Sequence, residues 1–376
     1  MTTEDRKRDD HFMVRALALA RKGVLAVRPN PLVGAVVVKN GREIASGYHA
    51  RFGGPHAEVV ALEKAGKAAR GATLYVTLEP CSTFGKTPPC SDLIISRGLK
   101  RVVIGVRDEN LQHRGRASRI LRAAGIAVRA GVRERECAEL NRDFFVWVAQ
   151  RRPYALLKLA LTLDGKIADP AGKSRWISSA ESRRLVHHLR ARSDAVLVGV
   201  NTVIRDDPRL TARRGRRHPG LRRVVLDSRG RIPLAARILS GTGASRTLVA
   251  VTRRAPAGKR RMVLSRGASW LVLPSRGGRV DLKSLFRKLA RLGIMRLLIE
   301  GGSETASAVL EAGLVDEVHF FLSPRILGGR TAVPAVGGRG FKNLASAARV
   351  EGMTVRRVGP DVYLSGRVVH RSRFRE

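Results

Sequence analysis

His56, Cys81 and Cys90 restrict the folding of this chain more than any other residues. They sit in two short blocks: His56-Ala57-Glu58, and Thr77 to Cys90, which reads TLEPCSTFGKTPPC. One imidazole and two thiols make a zinc donor set. Zinc prefers four ligands, and a catalytic site leaves one position to water. A structural site would usually present a fourth His or Cys. Cys137, the only other thiol, lies in a helical pattern and is read as packing. Pro80 is expected to turn the chain so that Cys81 opens a helix, where the dipole favours a thiolate. Glu58 is spare as a ligand. Two residues beyond the His, near a helix start, it is placed to move protons.

At 376 residues the chain is too long for one ordinary core. Two domains are expected, 1–150 and 151–376, divided at Arg151-Arg152-Pro153. In both, strand-like runs alternate with helical ones, which indicates layered α/β structure. Asn40-Gly41 marks a hairpin turn after the apolar run from Val33. Residues 1–11 read as a solvated tail, and Glu134–Ala149 as one helix leading out of the first domain. The N-terminus is charged and lacks a signal-peptide core, and no run suits a membrane span. With three cysteines and no disulfide framework, a cytoplasmic location is expected. The net charge of +41 lies mainly in the second half. It is read as an Arg-rich surface on an enzyme with anionic ligands. Nucleic-acid binding is the competing reading, but few aromatics interleave with the basic residues to stack bases.

The pattern H-x-E…P-C is that of zinc-dependent nucleobase deaminases, in which the metal brings the pKa of its water to roughly 7. Polynucleotide and free-base deaminases usually show P-C-x-x-C, whereas here eight residues separate Cys81 from Cys90. With Pro29 to Gly41 (PNPLVGAVVVKNG) and Gly47 to Glu58 (GYHARFGGPHAE), the motif resembles the bifunctional riboflavin-biosynthesis family, a pyrimidine deaminase fused to a reductase. The resemblance implies an N-terminal cytidine-deaminase-like three-layer α/β domain with one Zn2+ on His56, Cys81 and Cys90. It makes Glu58 catalytic and Asn30 part of the pyrimidine pocket. Two places depart from the family pattern: Thr83-Phe84, where His residues are common, and the loop Asp108–Ala117. Contacts to pyrimidine or phosphate are expected to differ there.

The second half has no G-x-G-x-x-G after a strand, so a standard dinucleotide fold is not expected. Instead Leu297–Glu300 runs into Gly301-Gly302-Ser303-Glu304-Thr305, a turn that would offer backbone N–H groups to an anion. KLALTLDGKIA (158–168), SRWIS (174–178) and LRARSDAVLVGVNTVIRDDPRLTAR (189–213) resemble the reductase half of the same family, whose fold is similar to dihydrofolate reductase. The resemblance implies NADPH as cofactor and a phosphoribosylated pyrimidine as substrate. Residue by residue, it places Ser174, Arg190, Leu210, Arg213 and Glu300 on substrate, with Arg190 and Arg213 as phosphate clamps. Ala160, Trp176, Thr202, Asp206, Ser228, Gly302, Ser303, Glu304 and Thr305 would line the NADPH site, and Lys158 would orient the sugar. A homo-oligomer is expected. The rival is an RNA deaminase with a basic, nucleic-acid-binding second domain.

Overall fold

The computed structural model describes residues 2–24, 26–84, 88–110, 113–212 and 220–369. They form two compact units, Met1–Arg151 and Arg152–Glu376. Among the described residues, no helix is long and apolar enough to cross a membrane.

The first unit opens with helix α1 (Thr3–Ala20), not with a solvated tail. Thr2 and Asp5 form a reciprocal capping box at its start. Asp9 then anchors the helix to the sheet. It is fully buried and accepts from Tyr75 Oη (2.9 Å), from Arg101 (2.8 and 2.7 Å) and from Arg129. Burial works against the Asp9 anion, but Arg101, Tyr75 and Arg129 keep its carboxyl below its usual range.

Strands β1 (Gly34–Lys39) and β2 (Arg42–Tyr48) form a hairpin through Asn40 (φ 50) and Gly41 (φ 75), both left-handed. Helix α2 (Ala57–Ala65), β3 (Thr73–Leu78), α3 (Cys90–Ser96), β4 (Arg101–Val106), α4 (Arg116–Ala123) and β5 (Ala127–Ala130) follow. The sheet order is β2-β1-β3-β4-β5. The β1 strand is antiparallel to both neighbours, whereas β3, β4 and β5 are parallel. Val36, Val37, Leu74 and Ile104 are fully buried in the core of this unit. Each contributes roughly 1.5–3 kcal/mol by leaving water. The expected exit helix is two helices, α5 (Glu134–Leu140) and α6 (Arg142–Gln150). The break falls at Asn141, whose side chain binds Leu32 N (2.7 Å) and Leu32 O (2.9 Å).

The second unit contains β6 (Tyr154–Thr162), β7 (Lys166–Ala168), α7 (Ala180–Ala191), β8 (Ala195–Gly199), α8 (Val200–Asp206), β9 (Arg222–Leu226) and β10 (Thr247–Val251). It continues with α9 (Ala257–Leu264), β11 (Ser269–Val272), β12 (Ser275–Arg276), β13 (Arg279–Val280), α10 (Leu282–Arg291), β14 (Arg296–Ile299) and α11 (Ser303–Glu311). It closes with β15 (Glu317–Ser323), β16 (Val333–Pro334), β17 (Arg349–Val358) and β18 (Asp361–Val369). One nine-stranded sheet runs β11-β10-β9-β8-β14-β6-β15-β18-β17. It is parallel as far as β15, and β18 and β17 are antiparallel. One face of the sheet packs an apolar core that includes Leu157, Leu197, Leu285, Phe286 and Leu289. Residues of the other parity, Lys158 and Ala160 among them, line a cavity. Ligands of open parallel sheets bind at the carboxyl ends of the strands, and the cavity lies there.

Candidate active sites

In the first unit, two helix starts bring the three metal-ligand candidates together. His56 is the extended residue that precedes α2, and Cys90 is the first residue of α3. The helix start was expected at Cys81 but falls at Cys90, behind Pro89. Cys81 lies instead in the extended segment after β3, where its sulfur accepts from Cys90 N (3.3 Å). His56 Nδ1 is 3.3 Å from Cys90 Sγ and 3.6 Å from Cys81 Sγ. All three candidate donor atoms lie within 4.8 Å of one another. Tetrahedral zinc with ordinary Zn–N and Zn–S bonds would hold N and S about 3.6 Å apart. The trio therefore fits the ion in both spacing and chemistry. Hydrogen bonding from Cys90 pulls the Cys81 thiol down, and the Cys90 thiol is pushed up in turn. One thiolate is thus already favoured beside His56.

Glu58 sits in the first turn of α2 and is buried. Burial raises its pKa, favouring the neutral acid. Next to the trio stands a residue that sequence reasoning missed. His49 Nδ1 donates to Pro55 O (2.9 Å), since a carbonyl can only accept, and its Nε2 then accepts from Asn30 Nδ2 (3.0 Å). The His49 ring meets the His56 ring edge-on, with centroids 5.5 Å apart. Burial lowers the His49 pKa, in keeping with that neutral tautomer. Asn30 is thereby linked through His49 to the ring of His56. The only sequence signal was a polar ring at the end of the hairpin.

Glu79, also missed, ties the metal loop to the altered loop after β4. Its carboxylate accepts from Gly115 N (2.8 Å), Ser118 N (3.1 Å) and Ser118 Oγ (2.9 Å) at the start of α4. Asp108 is buried in the same loop and accepts from Asn110 N (2.8 Å), while Phe84 is exposed.

The second unit encloses a cavity of about 1470 Å³. Ser174, Arg190, Leu210 and Glu300 line it, as do Lys158, Ala160, Trp176, Thr202, Asp206, Ser228 and the turn Gly302–Thr305. Arg213 lies outside the described residues. Arg190 was expected to clamp phosphate, but its fork is taken. Nε donates to Glu300 Oε1 (2.5 Å), Nη2 to Glu300 Oε2 (2.8 Å) and Nη1 to Thr211 O (3.2 Å). Burial opposes the Glu300 anion, yet Arg190 and then Lys158 keep its pKa low. Lys158 is pushed down by burial, against the pull of Glu300. Trp176 is 62% exposed with the Arg183 guanidinium 4.4 Å over its ring, so it is not a core residue. Leu210 is buried with φ 46, a strained conformation for a branched side chain. At Gly301 a Cβ would meet Thr305 at 2.6 Å, so close packing demands the first glycine of the turn. Asp164 accepts from Thr162 Oγ1 (2.6 Å), Leu327 N (3.0 Å) and Gly328 N (2.7 Å), which hold its carboxyl at about 2.

Comparison with known proteins separates the same two parts. Residues 6–106 match the cytidine and deoxycytidylate deaminase zinc-binding region, and residues 153–364 match the RibD C-terminal domain. The chain is 43% identical to the riboflavin biosynthesis protein RibD of Aquifex aeolicus, over 96% of this chain and 98% of that one. The chain belongs to the RibD family. The RibD of Escherichia coli is 40% identical over 95% of this chain and 98% of its own. An Acinetobacter baumannii RibD structure aligns at TM-score 0.86 and 36% identity, covering 97% of this chain and all of that one. The Thermotoga maritima deaminase/reductase aligns at 0.80 and 38% identity, again over 97% of this chain. The protein is a bifunctional enzyme of riboflavin biosynthesis. A cytidine-deaminase-like zinc domain is joined to an NADPH-dependent reductase with the dihydrofolate-reductase-like fold.

Proposed function

We propose that residues 1–150 remove the 2-amino group of 2,5-diamino-6-(5-phosphoribosylamino)pyrimidin-4-one. Residues 151–376 then reduce the ribosyl group of 5-amino-6-(5-phosphoribosylamino)uracil to ribityl. The observation that carries the first step is the convergence of His56, Cys81 and Cys90 beside a buried Glu58. These three would hold zinc, which when bound supplies a water acidic enough to ionise near neutral pH. Glu58 takes a proton from the attacking water as C2–O forms by addition to the ring carbon, and returns it to the amine, so that C2–N then breaks and ammonia leaves. Burial, which raises its pKa, favours the proton-bearing form that the departing amine needs. Asn30, held by His49, orients the pyrimidine edge.

In the reductase unit, NADPH when bound supplies the hydride. Lys158 orients the sugar at the floor of the cavity, and Arg190 fixes Glu300 toward it. Ser174 and Leu210 contact substrate, and Arg213 is assigned to its phosphate. Ala160, Trp176, Thr202, Asp206, Ser228 and Gly302–Thr305 hold the cofactor. Arg excess at the cavity suits two anionic ligands. The enzyme is read as a cytoplasmic homo-oligomer with small-molecule substrates.

The test is incubation of zinc-loaded protein with the diaminopyrimidine, with and without NADPH. Ammonia is expected without NADPH, and NADPH oxidation only after deaminated product has formed. Ammonia release from RNA and not from the pyrimidine would overturn the reading.

A further inference from the structure

The cavity of the second unit continues past the turn at Gly302 to an edge that neither substrate nor nicotinamide chemistry explains. Three strand-end loops converge there. After β9 comes Ser228-Arg229, after β10 comes Thr252 to Arg254, and between β12 and β13 lies the Gly277-Gly278 turn. Ser228 ties all three together. Its carbonyl accepts from Thr252 N (3.2 Å) and Thr252 Oγ1 (2.8 Å), and its Oγ accepts from Val280 N (3.0 Å). A Cβ at Gly278 would sit 3.2 Å from Arg254 Nη1, so that guanidinium lies against bare backbone. Leu226, Val280 and Leu282 line the cavity beside these arginines and form an apolar seat.

The charges there are unbalanced. Three carboxylates line the cavity: Glu300 is paired with Arg190, Glu304 with Arg279, and Asp206 belongs to the end of α8. Among the described residues, Arg229 and Arg254 have no carboxylate partner, although both line the cavity. The distance is informative too. From β6, which carries Lys158, to β10, which leads to Arg254, the sheet order is β6-β14-β8-β9-β10. Four strand spacings make about 19 Å. That is the scale of an extended dinucleotide, with its nicotinamide at Lys158, its diphosphate at Gly302 and its adenosine at the far edge.

We propose that Arg229 and Arg254 grip the 2′-phosphate of NADPH over the apolar seat, and that this pair makes the reductase prefer NADPH to NADH. The proposal rests on the reading of the cavity as the cofactor site. A free dianion on a ribose needs fork-shaped donors with no competing carboxylate, and these two arginines supply them. NADH, which carries a hydroxyl there, leaves both forks unused.

The test measures kcat/KM for NADPH and for NADH on the deaminated pyrimidine. It uses the full chain and its Arg254→Ala, Arg229→Ala and Arg260→Ala variants, with direct binding of 2′,5′-ADP and of 5′-AMP, read by calorimetry, as a second readout. Arg260 is exposed on α9 and is not among the residues lining the cavity. The NADPH/NADH ratio is expected to fall about tenfold or more in Arg254→Ala and in Arg229→Ala. Binding of 2′,5′-ADP should weaken in parallel, that of 5′-AMP should change little, and Arg260→Ala should keep the ratio. Equal losses for both coenzymes, or an equal fall in Arg260→Ala, would overturn the clamp. Wild-type enzyme that oxidises neither coenzyme would overturn the cofactor reading itself, and the clamp with it.

Discussion

Arg190 and Glu300 meet in a two-point ion pair, Nε to Oε1 at 2.5 Å and Nη2 to Oε2 at 2.8 Å, from positions 110 residues apart. Both side chains are largely buried. Removing one partner would strand the other charge, at a cost of about 3–5 kcal/mol. Arg190→Ala should therefore lower the stability of the second unit and reduce its kcat/KM by about 100-fold or more. Urea unfolding and NADPH oxidation measure the two effects. Arg190→Lys keeps the charge but not the fork and should lie between. Full NADPH oxidation by Arg190→Ala would show that the pair positions nothing.

Glu58→Gln keeps the size of the side chain and removes its proton traffic. Ammonia release should fall by about 10²–10⁴-fold. Zinc content, read by metal analysis, should stay at one ion per chain, since Glu58 is spare as a ligand. His56→Ala should lose the metal as well as the activity.

Chelation separates the two chemistries. Treatment with a strong zinc chelator should abolish ammonia release from the diaminopyrimidine. NADPH oxidation on pre-deaminated substrate should continue at the untreated rate, because the reductase cavity contains no cluster of metal ligands among its described residues. Loss of both activities would point to a metal dependence of the second unit.

Glu317 gives a pH signature. It accepts from Tyr154 Oη (3.0 Å) and lies 3.2 Å from His319 Nε2. Burial opposes its charge, but His319, Arg296 and Tyr154 together hold its carboxyl at about 2. A depressed carboxylate stabilises the fold above its unfolded pKa and loses that stability as pH falls. The contribution is full above about pH 5, declines from there, and is gone near pH 2, with a total of about 3 kcal/mol. Glu317→Gln should thus be less stable than wild type at pH 7 and nearly equal to it at pH 2. Urea titrations at several pH values test this, and a constant difference would refute it.

Much of the candidate metal site was legible because its residues are close in sequence and chemically rare. His56, Cys81 and Cys90 needed only a list of zinc donors, and Glu58 followed from its place two residues beyond the His. The reductase cavity was legible only through family resemblance, since Ser174, Thr202 or Ser228 alone carries no signal. Some of the missed features have partners far along the chain. Asn141 splits a helix because its amide binds the backbone of Leu32, 109 residues away. Local periodicity across Glu134–Ala149 could not reveal that. The role of Arg190 changed because Glu300 reached its fork first. The start of α1 is different, since Thr2 and Asp5 carry a capping-box pattern that a closer reading of the first residues shows.

The division of the chain between Arg151 and Arg152 leaves each unit with a sheet and an apolar core of its own. Lesions should accordingly sort by location, silencing one reaction and sparing the other. Two alleles of the gene, one carrying Glu58→Gln and the other Arg190→Ala, would then complement each other in one cell. The deaminated intermediate released by one polypeptide would be reduced by the other. Neither allele alone would relieve a requirement for the vitamin. In genetic terms, one locus would behave as two.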